Sequence, residues 1–260
     1  MSPSPAIRQP ASPPREAARF ARPLRVLHVC ESIKGGVATT VNAIIRRQVA
    51  DGRVESVAAV CPAQHRQYLP DLPQGREFPF DWPARSPASV REQRRALKTA
   101  VAAVDPDVVH LHASISGLVG RGPLLRPFAR PGGRPAVVYC PHAWAFVMDV
   151  PPWKRRAYAA AERWMLRRCD AVIAVSQSEI EAAAEAGLPT DRCRLVRNGL
   201  RDDAAPPEPV DLPPEARAAI DGGRRVFLFL GRYDHQKGLD LLLPAFAGDD
   251  APGTLLCAGG

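Results

Sequence analysis

The chain has no run of about 18 apolar residues, which excludes a transmembrane helix. Its first residues also lack the apolar core of a secretory signal. Cytoplasmic placement is therefore expected, with peripheral attachment at the inner face of the membrane as the alternative. No C-x-x-C pair occurs among Cys30, Cys61, Cys140, Cys169, Cys193 and Cys257, and several of them sit in apolar runs. Neither a disulfide frame nor a zinc site is suggested, and buried reduced thiols fit best. There is no G-x-G-x-x-G, so a dinucleotide site is not indicated. Aromatic residues are scarce, at 6%, and few fall in the basic stretches. With no recognisable nucleic-acid module, the net charge of +8 does not argue for a nucleic-acid partner. It leaves small anions, nucleotides and anionic lipid as acidic partners.

The composition is that of a globular protein with a core, 46% hydrophobic and 24% charged over 260 residues. That length suits one large or two modest domains. Residues 1–23 are rich in Pro, Ser and Arg and read as a disordered arm. Residues 24–199 alternate strand and helix patterns, which argues for an α/β parallel sheet. Residues 200–222, rich in Pro, Asp and Ala, read as a linker. A second strand–helix–strand occupies residues 223–260. One such unit cannot cover both faces of a parallel sheet, so it reads as an incomplete domain.

The candidate site residues follow from this alternation. The buried strand ending at Cys30 runs through Gly35-Gly36 into a helical pattern from Val37 to Ala50. Paired glycines there serve either a plain tight turn or a close backbone approach to a ligand. Asp105-Pro106-Asp107 has D-x-D spacing, but the proline and the following strand make it a turn rather than a metal pair. Strand Val108–His112 ends on a histidine, and strand Ala136–Cys140 leads into Pro141-His142. A histidine beyond the carboxyl end of a parallel strand lies where open α/β sheets bind ligands; the alternative is a packed or capping side chain.

From Trp153 to Cys169 a helix carries Trp153, Ala157, Ala160, Ala161, Trp164 and Met165 on one stripe, with six cations over most of the rest. Two readings stand: a helix packed on the sheet with a solvated basic face, or a surface over 153–168 for anionic lipid or a lipid-linked diphosphate. Ser176 can cap the helix from Gln177, with Glu179 at capping-box spacing. Asn198-Gly199 closes the last strand of the first half as a turn. In Gly231 to Gly238, G-R-Y-D-H-Q-K-G, a strand precedes and a helical run follows. Arg232 and Lys237 then flank a helix start, which makes either an ordinary solvated loop or an anion site.

These pieces, in this order, resemble family 4 glycosyltransferases of the GT-B fold. The resemblance rests on L-H-V-C-E-S-I-K-G-G-V-A-T-T, D-V-V-H-L-H, Y-C-P-H-A-W-A-F, C-D-A-V-I-A-V-S-Q-S-E, V-R-N-G and G-R-Y-D-H-Q-K-G-L-D-L-L-L-P-A-F, and spans residues 24–260. The P-H-A-W-A-F form looks most like enzymes of exopolysaccharide or capsule assembly. The resemblance implies two Rossmann-like domains, the first on the acceptor side and the second binding a nucleotide-sugar donor. It implies transfer to a glycan or polyprenyl-linked acceptor with retention, without cofactor or metal. By the same resemblance Gly35 and Gly36 approach the donor, His142 contacts the transferred sugar, and Arg232 and Lys237 hold the diphosphate. His112, Ser176, Asn198 and Gly199 are further cleft candidates. The family's later motif, two glutamates separated by seven residues, has no counterpart before Gly260, so a donor domain cut short is expected.

Overall fold

The computed structural model describes residues 22–121, 135–199, 211–248 and 251–259. The chain divides into a first unit, Met1–Leu200, and a second, Arg201–Gly260. Apart from Arg22 and Pro23, the arm over 1–23 lies outside the described residues, as do 200–210 of the linker.

In the first unit the apolar runs pair as parallel strands, because helical crossovers return the chain to the same edge. The order is β1 (Leu24–Cys30), α1 (Gly35–Val49), β2 (Val54–Pro62), β3 (Glu77–Phe80), α2 (Pro87–Val104), β4 (Val108–His112) and α3 (Ser114–Arg121). It continues with β5 (Ala136–Cys140), α4 (Pro152–Leu166), β6 (Ala171–Ala174), α5 (Gln177–Glu185) and β7 (Cys193–Leu195). The sheet runs β3-β2-β1-β4-β5-β6-β7, all parallel. Strand order reverses between β1 and β4, which opens a crevice at their carboxyl ends.

The two faces of this sheet differ. One is apolar: Leu27, Val29, Val109, Leu111, Val137 and Tyr139 cluster with Leu97 of α2, Val119 of α3, Leu166 of α4 and Ala183 of α5. On the other, Val41 and Ile45 of α1 pack on Cys30, Val57, Ala59 and Cys61. The alternating strand positions place His28, His110 and His112 on this second face, and all three are buried.

The expected bounds of β4 and β5 agree with those observed. Asp105 caps the end of α2 in the left-handed region, and Asp107 accepts from the Arg25 backbone N–H at 2.9 Å, so both serve the turn. Helix α3 starts at Ser114, and residues 122–134 lie outside the described residues.

The stripe on α4 is a correction. Trp153 is 66% exposed and Trp164 39%, and Ala157, Ala160 and Ala161 are exposed too. The face turned inward is instead Ala159, Glu162, Met165 and Leu166. Glu162 decides the rotation, because its carboxylate pairs at 2.9 Å with Arg121 of α3, whose side chain is fully buried. Exposing that cation's partner would cost more than exposing the ring of Trp164.

The second unit holds α6 (Pro214–Asp221), β8 (Val226–Leu230), α7 (Leu239–Leu242) and β9 (Thr254–Ala258), with β8 and β9 parallel. Part of the expected linker is therefore helical. Leu228 and Leu230 remain 66% and 77% exposed on β8.

Candidate functional site

The first unit gathers its candidates along the carboxyl edge of the sheet. Gly35 and Gly36 open α1 directly after β1, and Gly35 has φ 56, a value that suits glycine. Nothing lies within 4 Å of where a Cβ would stand on either glycine. No side chain caps α1, and its first turn holds no acidic residue. Helix α4 shares this lack, whereas α2, α3 and α5 differ. Ser86 accepts from Ser89 N–H at the start of α2, and Ser176 accepts from Glu179 N–H at the start of α5. Glu31, buried behind β1, accepts from the Ile115 and Ser116 N–H groups of α3 and from Arg85 at 3.2 Å. Burial raises the Glu31 carboxyl, while the Ser116 N–H, Arg85 and the Ile115 N–H act against that rise.

At the neighbouring strand ends, Ala113 and His142 have φ of 66 and 56, and Ala113 N–H bonds the Cys140 carbonyl at 2.9 Å. Positive φ at residues with a Cβ is backbone strain, and here two instances sit side by side. The side chains continue the connection. His142 Nε2 lies 3.0 Å from His112 Nδ1, His112 Nε2 lies 2.9 Å from His28 Nδ1, and His28 Nε2 lies 2.7 Å from Gln48 Oε1 of α1. Burial lowers His28 and His142 to about 4 and holds His112 well below its ordinary value, so all three rings are neutral at pH 7. The His110 ring lies against His112, tilted by 36° with centroids 4.0 Å apart, and stands outside the series.

His112, Cys140 and His142 also offer ligand atoms within 4.8 Å of one another, as do His28, His110 and His112. Two nitrogens on a tetrahedral zinc stand about 3.3 Å apart, given Zn–N bonds of about 2.0–2.1 Å. The observed separations of 2.9 and 3.0 Å are those of hydrogen bonds. Burial also pushes the Cys140 thiol up to about 12, which keeps it protonated.

The structure thus brings together His112 and His142, and sets Gly35, Gly36 and Ser176 on the same sheet edge. The Ser176 hydroxyl is engaged in capping and in a 2.8 Å contact with Ser178. Asn198 and Gly199 follow β7 and end the described part of the first unit. Arg232 and Lys237 belong to the second unit. There Arg232 pairs with Asp234 at 2.9 Å, and a 3-10 turn, His235–Lys237, ends on Gly238 at φ 69 before α7. Sequence reasoning missed Gln48, His28 and Glu31. The available signal was three histidines at same-face positions of two apolar strands.

Residues 34–204, more than half of the chain, match the profile of Glycosyltransferase Family 4. The chain belongs to this family. A Klebsiella pneumoniae relative, described as an uncharacterized 41.2 kDa protein in the cps region, is 28% identical over 222 residues, covering 85% of this chain and 59% of its own. Among solved structures, sucrose-phosphate synthase from Thermosynechococcus elongatus superimposes with a TM-score of 0.66 at 18% identity, over 92% of this chain and 62% of its own. Anabaena HepE in complex with UDP and glucose gives 0.59 at 17% identity, over 90% and 60%. These likenesses show the GT-B type of fold. The family 4 chain described here spans 59–62% of the lengths of these relatives.

Proposed function

We propose that this family 4 chain carries the acceptor-side domain and the first part of the donor domain of a glycosyltransferase. The reaction is transfer of a sugar from a nucleotide-sugar donor to a glycan or polyprenyl-linked acceptor, with retention and without a metal. The observation that carries this is the carboxyl edge at the β1/β4 crevice. There an uncapped α1 N-terminus begins at Gly35-Gly36, and His142 stands on a strained backbone over His112. An uncapped helix start suits a phosphate, and a neutral imidazole suits a sugar hydroxyl. Arg232 and Lys237 supply fixed cations for the leaving diphosphate, the task a metal performs in other transferases. The location of the Klebsiella relative in a cps region supports polysaccharide assembly as the setting.

The test is calorimetric titration with UDP, GDP and ADP, with and without EDTA. One nucleotide is expected to bind, with affinity independent of EDTA and lost in Arg232→Ala and Lys237→Ala. Loss of such a donor costs about 3–4 kcal/mol of transition-state stabilisation in a complete enzyme. Equal affinity in parent and variants sinks the assignment of the pair. A second reading, an acceptor-side module without catalysis, is favoured by the exposed Leu228 and Leu230 of the second unit. Absence of nucleotide binding by folded protein would select it.

Peripheral attachment to the membrane from the cytoplasmic side belongs to the same proposal. Trp153, Tyr158 and Trp164 are exposed on α4 among Arg155, Arg156, Arg167 and Arg168. Aromatic rings beside cations suit an anionic interface, where a polyprenyl-linked acceptor would reside. Among the described residues no helix is long and apolar enough to cross a membrane.

A further inference from the structure

A neutral imidazole donates from one nitrogen and accepts at the other. Three of them in series must therefore all point the same way, and whatever ends the series sets the direction. Here the end is Gln48, in the last turn of α1, with its carbonyl oxygen 2.7 Å from His28 Nε2. An oxygen only accepts, so His28 carries its proton on Nε2 and accepts at Nδ1. His112 then donates from Nε2 across 2.9 Å and accepts at Nδ1. His142 donates from Nε2 across 3.0 Å, which leaves its Nδ1 outside the series with a bare lone pair.

We propose that Gln48, His28 and His112 are positioning residues that hold His142 as its Nε2–H tautomer, so that Nδ1 accepts a hydrogen bond from a sugar hydroxyl. Turning the Gln48 amide over would reverse every donor and make His142 Nδ1 a donor instead. One amide on α1 thus sets the polarity of a ring at the carboxyl edge. The series does not serve as a proton outlet. A proton passed inward would stop on His28, which is fully buried and ends on an amide oxygen that does not take it further. The register makes the arrangement rigid, because His28 pairs with His110 and Cys30 with His112 along the β1/β4 ladder.

The sugar-facing half rests on the proposed function, while the tautomer half stands on geometry alone. The experiment is long-range proton–nitrogen NMR of the histidine rings in the full chain near neutral pH. It separates protonated from bare nitrogens without substrate. The expected result is Nε2–H with bare Nδ1 in His28, His112 and His142. Gln48→Leu should release His142 into a mixture of both tautomers. Gln48→Glu should keep the parental pattern, since a carboxylate also only accepts. A parent with His142 protonated on Nδ1 overturns the proposal. So does an unchanged His142 in a folded Gln48→Leu. Should Gln48→Leu fail to fold, the parent and Gln48→Glu spectra decide. Addition of UDP-glucose should then move the His142 Nδ1 resonance. Nucleotide binding without that movement removes the sugar-facing half and leaves the tautomer assignment standing.

Discussion

Replacing Glu162 with Ala should destabilise the first unit more than any single surface change. The Arg121 side chain is fully buried, and Glu162 answers its charge at 2.9 Å. Arg121 also lies over the Tyr139 ring, 3.6 Å from its centroid, and its Nε bonds the Gly117 carbonyl at 3.0 Å. Without the carboxylate, these contacts leave a cation in a low-dielectric interior, a loss of about 3–5 kcal/mol. Unfolding free energies of domains are only about 5–15 kcal/mol, so the change removes a large share. Because the chain holds two units, a global melt would blend their transitions. Hydrogen exchange of the β4 and β5 amides reads the first unit by itself. At about 1.4 kcal/mol per decade, exchange in Glu162→Ala should be roughly 100-fold faster or more. The double change Arg121→Met with Glu162→Leu should return most of the protection, since apolar groups of similar size replace buried pairs at little cost. An acceleration below about fivefold for the single variant would refute the reasoning, as a pair of that worth is typical of exposed ion pairs.

The remaining predictions concern the site and α4. His28 and His142 are lowered from 6.5 to about 4 by burial, so between these values the unfolded chain binds more protons than the folded one. The stability they contribute is complete above pH 6.5 and declines as pH falls toward 4, by about 3 kcal/mol for each ring taken alone. Denaturant midpoints that stay flat over that range would show the rings are not buried neutral. Gly36→Ala meets open space and should raise stability by up to about 0.5–1 kcal/mol, yet weaken nucleotide-sugar binding at least tenfold by order of magnitude. Calorimetry showing unchanged affinity would remove this loop from the site. Exchanging Trp153 and Trp164 for Ser should weaken co-sedimentation with anionic vesicles, on the order of 2 kcal/mol per ring for half its surface inserted. Equal sedimentation would return α4 to an ordinary solvated helix.

Sequence periodicity located the parallel strands and their helices because each apolar run is local. β4 and β5 needed only their own residues and the turn chemistry at their ends. The rotation of α4 was not local. Two faces of that helix are apolar enough to pack, and the choice between them depends on Arg121, which lies in another helix. The series through His142 was hidden for a similar reason. His112 and His142 were each visible as residues beyond or at a strand end. Their connection to Gln48 depends on a contact between His28 and His112, 84 residues apart, which exists only once β1 and β4 stand in register. Spacing alone cannot supply such a register.

One asymmetry of the sheet edge ties these pieces to chemistry. Helices beginning after parallel strands all point partial positive charge the same way, and an α/β protein must decide which of them stay open. In this chain α2 and α5 are closed by Ser86 and Ser176, and α3 is closed by the buried Glu31 carboxylate. The starts of α1 and α4 have neither a side-chain cap nor an acid, but α4 opens on Pro151-Pro152, whereas two glycines keep the approach to α1 free of Cβ atoms. That same helix carries Gln48 in its last turn, which meets the histidine series from below. Helix α1 therefore reaches the crevice twice, by its first backbone N–H groups and through three imidazoles from its far end. A substitution that tilts α1 without unfolding it, in the Val41 and Ile45 packing, should disturb the proposed phosphate approach and the His142 tautomer together. Independent responses of the two would mean that α1 does not couple them.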